Sequence, residues 1–271
     1  MSDRIQNATT LENANGDEET CSVLDIGEIR ISEVNILMER LTELRLHDRI
    51  PDMLLIMNHP ASLAVGARPF NPDDLAKPQI YFEQQGIYLF KSIRGGGLTY
   101  HWDGQLVCYP ILKLNPHEQN LSNYMYRLEE VGIRTLKDYG VTASRRRDET
   151  AQIGLWHKGK KIASTGVHIS RWVTSFGFAL NLTGNIEPSL YIRPCGLKDV
   201  CLTTIAEATG NEPDRAAVKS SVIRHFQDVF HRRINISSNG RDELKYMTLL
   251  EKEGRNTLDS MLNSPVKINN R

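Results

Sequence analysis

An alternating pattern within the segment Trp172–Leu182 constrains the fold of this chain more than any other feature. From Phe176 of WVTSFGFALNL onward, large apolar side chains occupy every second position, and small or polar residues lie between them. The large residues are Phe176, Phe178, Leu180 and Leu182. A period of two predicts a β-strand. The preceding segment KKIASTGVHIS also predicts a strand, and HKGKK in front of it predicts a hairpin turn, so consecutive strands are expected to pair as hairpins.

Earlier segments predict further strands. SVLDIG (Ser22–Gly27) and DMLLIMNHP (Asp52–Pro60) are short apolar runs. GIYLFKSIRGGGLTYHWDGQLVCYPILKL contains two strand-like runs around a glycine-rich connection. Pro110, in the second run, predicts a strand edge or a bulge because proline cannot donate a ladder hydrogen bond. Gly66 is expected in a turn or bulge.

Three long segments have apolar residues at helical spacing. ISEVNILMERLTELRLHDR predicts a helix with Ser32 as its N-cap. NLSNYMYRLEEVGIRTLKDYG predicts a helix that ends at Gly140, and PDRAAVKSSVIRHFQDVFHRR predicts one with Pro213 near its start. RDELKYMTLLEKEG predicts a shorter helix. The order of these elements predicts an α+β fold, with a mixed or antiparallel sheet flanked by helices.

The chain is expected to have one folded domain between two dissimilar ends. Residues 1–21 are polar and acidic and predict a disordered tail, residues 22–236 the domain, and residues 237–271 a partly helical extension. Lys+Arg and Asp+Glu both number 33, so the balance of charge gives no reason to expect a nucleic acid or a membrane as partner. No signal peptide and no long apolar run is recognised, which favours a cytoplasmic protein.

The cysteines and one basic cluster have unremarkable interpretations. The four cysteines match no zinc spacing, so no metal site is expected, and in a reducing compartment they are expected to be free thiols. Cys108 and Cys201 are predicted to be small buried side chains. SRRRD (Ser144–Asp148) is predicted to form a solvated loop, although it could also steer a charged partner.

Three features predict chemistry. In RGGGLTYH (Arg94–His101), the glycines would let a ligand approach the backbone, and Arg94 could hold an anion; a glycine-rich hairpin is the alternative. Lys161 lies in an apolar context, where a lysine that reaches solvent is the simpler interpretation. Cys195, between Pro194 and Gly196, could be a nucleophile or a small buried side chain.

Lys161 and Cys195 together favour acyl transfer. A thiol reacts as the thiolate, which a nearby ammonium stabilises. A lysine in a partly dry site can instead lose its proton and serve as a general base. A cysteine and a lysine therefore suffice for transfer through a thioester, without a metal.

Several linked motifs resemble those of the lipoyl(octanoyl) transferase family, within the biotin/lipoate protein-ligase superfamily. They are RGGGLTYH…GQLVCYPIL, GLW…KKIASTGVHISRW…GFALN and IRPCGL, and the resemblance extends from about Val23 to Arg233. It implies a biotin/lipoate protein-ligase-like catalytic domain. It also implies an acyltransferase of protein lipoylation that moves an octanoyl or lipoyl group and needs no cofactor, and a monomer is expected. The implied donor is octanoyl-acyl carrier protein, and the implied acceptors are lipoyl domains of 2-oxoacid dehydrogenases and glycine-cleavage H protein.

The resemblance also implies roles for individual residues. Cys195 falls on the nucleophile that carries the acyl thioester, and Lys161 falls on the catalytic lysine. The implied substrate-binding residues are Arg94, Gly95, Gly96, Gly97, Leu98, Thr99, Tyr100, His101, Ser164, Thr165, Gly166, Gly177, Phe178 and Ala179.

The chain departs from the family pattern at three positions. HWDGQ stands where the family usually has HGPGQ, so Trp102 and Asp103 are expected to add bulk and charge beside the acyl site. Phe176 stands where a histidine is common. Three alternatives remain open: an ATP-dependent lipoate–protein ligase, an amidotransferase between lipoyl domains, and an inactive module that binds carrier or lipoyl domains.

Overall fold

The computed structural model of the chain describes residues 19–146, 153–193 and 200–249. Within these ranges the strands form one large and one small sheet. The strands of the large sheet are β1 (Thr20–Glu28), β2 (Asp52–Asn58), β6 (Gln105–Ile111), β7 (Ser144–Arg145), β8 (Gly154–His157), β9 (Lys160–Ser170), β10 (Val173–Asn181) and β11 (Arg233–Ile236). The small sheet contains β3 (Ser62–Val65), β4 (Tyr88–Lys91) and β5 (Leu98–His101).

The large sheet is mixed, with the order β11-β1-β2-β6-β10-β9-β8-β7. β1 pairs in parallel with β11 and β2, and the other neighbouring strands are antiparallel. In the small sheet, β3 lies between β4, which is parallel to it, and β5, which is antiparallel.

Helices cover both faces of the large sheet, and α2 packs against the small sheet. The helices are α1 (Ile31–Leu46), α2 (Gln79–Glu83), α3 (Leu121–Asp138), α4 (Ile205–Thr209), α5 (Arg215–Phe230) and α6 (Gly240–Leu249). Leu128 of α3 and Phe226 of α5 are buried in one core cluster, and Met38 of α1 is buried in another. The predicted α+β fold with a mixed sheet flanked by helices is therefore confirmed. None of the helices in the described ranges combines the length and hydrophobicity needed to cross a bilayer.

The predicted hairpin turn at HKGKK is confirmed. It joins β8 to β9 through Lys158 and Gly159, whose φ angles are 46° and 81°. Two residues with positive φ give the backbone twist that suits a tight hairpin. β9 continues into β10 through a second tight turn, and their eight residue pairs from Val173↔Ser170 onward keep one register.

Pro110 lies in a central strand, so its predicted edge position is wrong. On one side it pairs with Leu54 of β2. On the other side, the pairing of β6 with β10 stops at Cys108, and the proline ring faces Gly177, where an added Cβ would lie 2.8 Å from the Pro110 Cδ. The missing donor is tolerated because the ladder is already interrupted there.

Two other local predictions also need correction. Helix α1 begins at Ile31, so Ser32 lies inside it, and Glu33 caps the helix by accepting a hydrogen bond from the backbone N–H of Arg30 at 3.2 Å. The glycine-rich connection contains the additional strand β5, and β4 and β5 do not pair with each other because β3 lies between them.

The first and last described elements of the chain lie side by side at β1. β1 begins at Thr20, and β11 pairs with β1 in parallel. Helix α6 packs onto the same strand, where Leu244 is buried and Gly240 approaches the backbone of Asp25.

Candidate functional site

The glycine-rich loop, Arg94–Gly97, crosses β9 and forms one wall of the candidate site. The Gly95 N–H donates to the Val167 carbonyl at 2.8 Å. A Cβ added at Gly166 would lie 3.0 Å from the Gly95 carbonyl oxygen, and one added at Gly66 would lie 2.4 Å from that of Gly96. Gly66 thus serves a close approach of two backbone segments. Small residues are needed here because the loop lies directly on its neighbours.

Arg94 holds this loop from the inside. Its guanidinium donates to the carbonyls of Gly95 at 3.0 Å, Ala64 at 2.8 Å and Gly97 at 3.0 Å. The residue is buried. These bonds give Arg94 a structural role in the loop, and its contact with a substrate anion stays a prediction.

A cavity of about 260 Å³ opens between the loop and β9. It is bounded by two groups of predicted residues, Arg94–Tyr100 and Ser164–Gly166. Its remaining described lining is mostly apolar and consists of Leu121, Met125, Ile153, Trp156, Lys161, Val167, Ile192, Val200 and Leu202. An engineered apolar cavity of about 150 Å³ holds benzene, so this one has room for a chain of roughly eight to ten carbon atoms.

Lys161 lies at the wall of this cavity, opposite Trp156 of β8. Its ammonium nitrogen Nζ is 5.8 Å from the centre of the Trp156 ring. Its backbone is fixed on both sides, because its N–H donates to the Cys201 carbonyl at 2.8 Å and its own carbonyl accepts from the Thr203 N–H at 2.9 Å. Lys161 is half-buried, whereas the neighbouring Lys160 is exposed.

Cys195 and Gly196 lie outside the described residues. The described cysteines are Cys21, Cys108 and Cys201. Burial raises the pKa of the Cys21 and Cys108 thiols well above the usual range, so both are protonated near neutral pH. The prediction for Cys108 is confirmed. Cys201 is exposed, so the prediction that it is buried is wrong.

A second, much smaller cavity of about 20 Å³ adjoins the first. Gly177, Phe178 and Ala179 line this small cavity together with His101. These predicted substrate-binding residues do not line the large cavity. The volume suffices for one water molecule. His101 Nδ1 lies 2.9 Å from Gln105 Oε1.

His101 is electrically neutral near neutral pH. Burial lowers its pKa well below 6.5, and the nearby His59 and Arg94 lower it further. Among the described residues, no hydrogen-bond partner is present for its buried Nε2 atom. His101 can therefore offer a hydrogen-bonding nitrogen to the small cavity without bringing a charge.

Two of the departures from the family pattern, Trp102 and Phe176, are buried and do not line the cavities. Trp102 is buried, stacks on Tyr100 with ring centres 5.2 Å apart, and donates to the Thr183 carbonyl at 2.7 Å. Phe176 packs against the Tyr109 ring. Neither side chain lines either cavity, and Asp103 is exposed. The expected bulk beside the acyl site is therefore absent from the described lining.

The basic cluster SRRRD is not a solvated loop in its described part. Ser144 and Arg145 form β7, and Arg145 pairs with Glu129 at 3.2 Å and Glu130 at 2.6 Å. Arg146 lies with its guanidinium carbon 4.0 Å from the centre of the Trp156 ring. Arg147 and Asp148 lie outside the described residues. The charges are tied to the domain by pairing and stacking.

Sequence reasoning missed the lining contributed by α3 and β8. Leu121 and Met125 of α3 face the cavity together with Trp156. Their spacing of four residues indicated one face of the helix, but not what that face contacts. Leu121 remains 53% exposed, which is a high value for leucine and fits a position at the cavity wall.

The amino-acid sequence matches one known protein family and several curated relatives. Residues 33–227 match the family described as "Lipoyl protein ligase A/B catalytic domain". An octanoyltransferase of Desulforamulus reducens is 37% identical over 209 residues, which are 77% of this chain and 90% of that protein. An octanoyltransferase of Solibacter usitatus is 38% identical over 210 residues, or 78% of this chain and 93% of that protein.

Solved structures agree with this match at the level of the fold. A lipoate-protein ligase A bound with ATP superposes with a TM-score of 0.64 at 15% identity, covering 88% of this chain and 97% of its own. A bipartite lipoate protein ligase of Thermoplasma acidophilum gives a TM-score of 0.61 at 14% identity, covering 93% and 99%. The predicted lipoate-protein-ligase-like fold is confirmed.

Proposed function

Since the chain belongs to the family of lipoyl protein ligase A/B catalytic domains, we propose that it is an octanoyltransferase of protein lipoylation. It transfers an octanoyl group from acyl carrier protein to a lysine of a lipoyl domain, with Cys195 carrying the group as a thioester. Identities of 37% and 38% with octanoyltransferases support this activity over the ATP-dependent ligase and the inactive module.

One observation carries the proposal: a mostly apolar cavity of about 260 Å³ whose wall includes Lys161. An octanoyl chain fits this volume, and its burial would contribute about 5 kcal/mol at ~0.8 kcal/mol per CH₂ group. A cavity of this size and lining suits an aliphatic acyl group better than a large polar ligand.

The course of the chain supports a position of Cys195 near this lysine. Ile192 and Val200, on either side of the undescribed segment, both line the cavity with Lys161. Cys195 is three residues after Ile192, so their Cα atoms can be at most about 11 Å apart at ~3.6 Å per residue. This short distance along the chain supports the proposed role of Cys195 beside the cavity.

The proposed reaction has two steps with balanced proton transfers. Neutral Lys161 accepts the thiol proton of Cys195, the thiolate attacks the donor thioester carbon, and the carrier thiol leaves with that proton. In the second step the acceptor amine attacks the enzyme thioester and loses a proton to Lys161. Cys195 then leaves as the thiol, having received that proton from Lys161. The donor thioester is already activated, so the steps require no nucleotide.

The finer partners also belong to the proposal. The acceptors would be lipoyl domains of 2-oxoacid dehydrogenases and glycine-cleavage H protein, and the enzyme would work as a monomer in the cytoplasm. A relative in fold, the bipartite lipoate protein ligase of Thermoplasma acidophilum, has been described with its E2 lipoyl domain, which supports a lipoyl domain as acceptor.

The test is intact-mass spectrometry after incubation with octanoyl-acyl carrier protein alone. We expect one adduct of octanoyl mass, removable by hydroxylamine and located on Cys195 by peptide mapping. It should then be transferred to an added lipoyl domain without ATP. The exposed Cys201 is the internal control and should stay unmodified. An adduct elsewhere, or transfer only with free octanoate and ATP, would reject the proposal.

Gly154→Ala should slow the reaction by displacing Lys161. A Cβ at Gly154 would lie 2.7 Å from the Lys161 Cε and 2.3 Å from the Ala163 carbonyl oxygen. Displacement of a reacting group by 1 Å can cost about 100-fold, so we expect kcat for octanoyl transfer to fall by roughly 10- to 100-fold.

Gly86→Ala is the matched control for this substitution. Gly86 also has a positive φ, 74°, but a Cβ there meets no atom within 4 Å. It therefore places an alanine at a positive φ without touching Lys161 or the Ala163 carbonyl, whereas Gly154 has the larger φ of 140°. Equal kcat values for the two variants would contradict the role of Gly154.

A further inference from the structure

Three side chains form a row across the edge of the large sheet. Lys161 of β9 pairs directly with Trp156 of β8, and Trp156 pairs with Ser144 of β7. Arg146 follows Ser144 by two residues and therefore lies on the same face, at the diagonal position. The ring of Trp156 thus lies between two cations, Lys161 on the β9 side and Arg146 on the β7 side.

The distances show that both cations interact with this ring. The Arg146 guanidinium carbon is 4.0 Å from the ring centre, and Lys161 Nζ is 5.8 Å from it. Both lie within the range of cation–π contacts. The two positive groups are therefore within about 10 Å of each other, or roughly one Debye length at 0.1 M salt.

We propose that Arg146, stacked on Trp156, is a positioning residue that favours the neutral, proton-accepting form of the Lys161 amine. A fixed positive charge disfavours a second one nearby. Trp156 keeps the guanidinium at a set place and walls the cavity, so less water screens the two charges. The inference rests on the proposed function only for its catalytic consequence.

Besides Lys161, the described titratable side chains that line the cavity are Arg94 and Tyr100. Arg94 lines the same cavity and is a second cation. Tyr100 also lines it, and burial, followed by the charge of Asp103, raises its pKa to about 12, so it is neutral near pH 7. The exposed Lys160 precedes Lys161 on β9 and is a further cation.

Three carboxylates of the helices beside the site have described partners. Glu129 and Glu130 of α3 pair with Arg145. Glu207 of α4 accepts the Thr203 hydroxyl at 2.9 Å. Among the described residues that line the cavity itself, the charged ones are the cations Arg94 and Lys161.

The decisive measurement is the ionisation of Lys161 itself, independent of any activity. Competitive acetylation with acetic anhydride across pH, read by fragment-ion mass spectrometry, reports the protonation of each lysine and separates Lys161 from Lys160 and Lys158. In Arg146→Gln the labelling midpoint of Lys161 should rise by roughly 0.3 to 1 pH unit, from Coulomb's law at this separation.

Two variants separate charge from shape. Arg146→Lys keeps the positive charge and should leave the midpoint near that of the wild type. Arg40→Gln removes a positive charge from α1 at a position that does not line the cavity, and it should not shift the midpoint. An unshifted midpoint in Arg146→Gln, or an equal shift in Arg40→Gln, would overturn the inference.

The catalytic consequence is a change in the pH profile. In Arg146→Gln the acidic limb of kcat/KM for octanoyl transfer should move to higher pH by the same amount, and the wild-type and variant curves should converge at alkaline pH. A merely structural defect would lower the rate at every pH. If the wild type transfers no octanoyl group, the proposed function fails, while the labelling result still decides the inference.

Discussion

Lys161→Ala is expected to lower kcat for octanoyl transfer by about 10²- to 10⁴-fold, the usual contribution of a positioned general base. The side chain lines the acyl cavity and is held opposite Trp156, and its backbone is tied to Cys201 and Thr203. With no base in place, the thiol of Cys195 would have to ionise in water, and the attacking amine would have no proton acceptor.

Lys161→Arg is the sharper form of this test. Arginine keeps a positive charge at the site but cannot lose its proton in a protein. A general base therefore fails in both variants, whereas a group that only stabilises a thiolate by its charge would retain part of its effect in the arginine variant. Single-turnover transfer from octanoyl-acyl carrier protein measures both rates.

The adjacent lysine provides the control. Lys160 is exposed and does not line the cavity, so Lys160→Ala should transfer at close to the wild-type rate. Circular dichroism should show all three variants folded. Transfer by Lys161→Ala within threefold of the wild type would contradict the proposed mechanism.

Arg232→Ala is expected to be the most destabilising of the substitutions considered. Arg232 is 4% exposed and donates to Asp52 at 3.1 Å and to Glu118 at 2.7 Å. Both carboxylates are buried. Loss of the guanidinium leaves their charges with fewer partners in the interior, and breaking a buried pair in this way costs about 3–5 kcal/mol. Arg45 and Arg127 retain one contact each.

Thermal unfolding measures this loss. For a domain of this size, Tm falls by about 2–4 °C per kcal/mol, so a decrease of roughly 10 °C is expected. Arg40→Ala is the control, because Arg40 pairs with an exposed Glu43 at 3.4 Å and such pairs contribute at most about 1 kcal/mol. Equal Tm values for the two variants would show that the buried cluster contributes nothing.

The same cluster predicts a dependence on acid. Burial alone would raise the pKa of Glu118, but the hydrogen bonds and charge of Arg232 outweigh it and the pKa is lowered. Its stabilising effect is therefore complete above the unfolded-state pKa of about 4.3 and is lost as the pH falls through the lower folded-state value. Below about pH 4.5, the free energy of unfolding should therefore fall more steeply with decreasing pH in the wild type than in Arg232→Ala.

The sequence by itself determined the local elements and the family. The alternation at Phe176 to Leu182, the helical spacing in α3 and α5, and the turn at Lys158 and Gly159 depend on residues close along the chain. The linked motifs around Arg94 and Lys161 identified the family, because their combination is specific. The prediction of Ser32 as N-cap was wrong, because Arg30 precedes the helix and donates from its backbone N–H and its guanidinium to Glu33.

Only the tertiary structure decided which of these elements meet. The central position of Pro110, the hydrogen bond from Trp102 to Thr183, and the stacking of Arg146 on Trp156 all join segments that are distant in sequence or lie on different strands. Such contacts depend on the order and register of strands, and many orders satisfy the same local patterns. Burial of a shared core selects one strand order. The environment of Lys161 depends on that order, so local sequence patterns alone do not determine it.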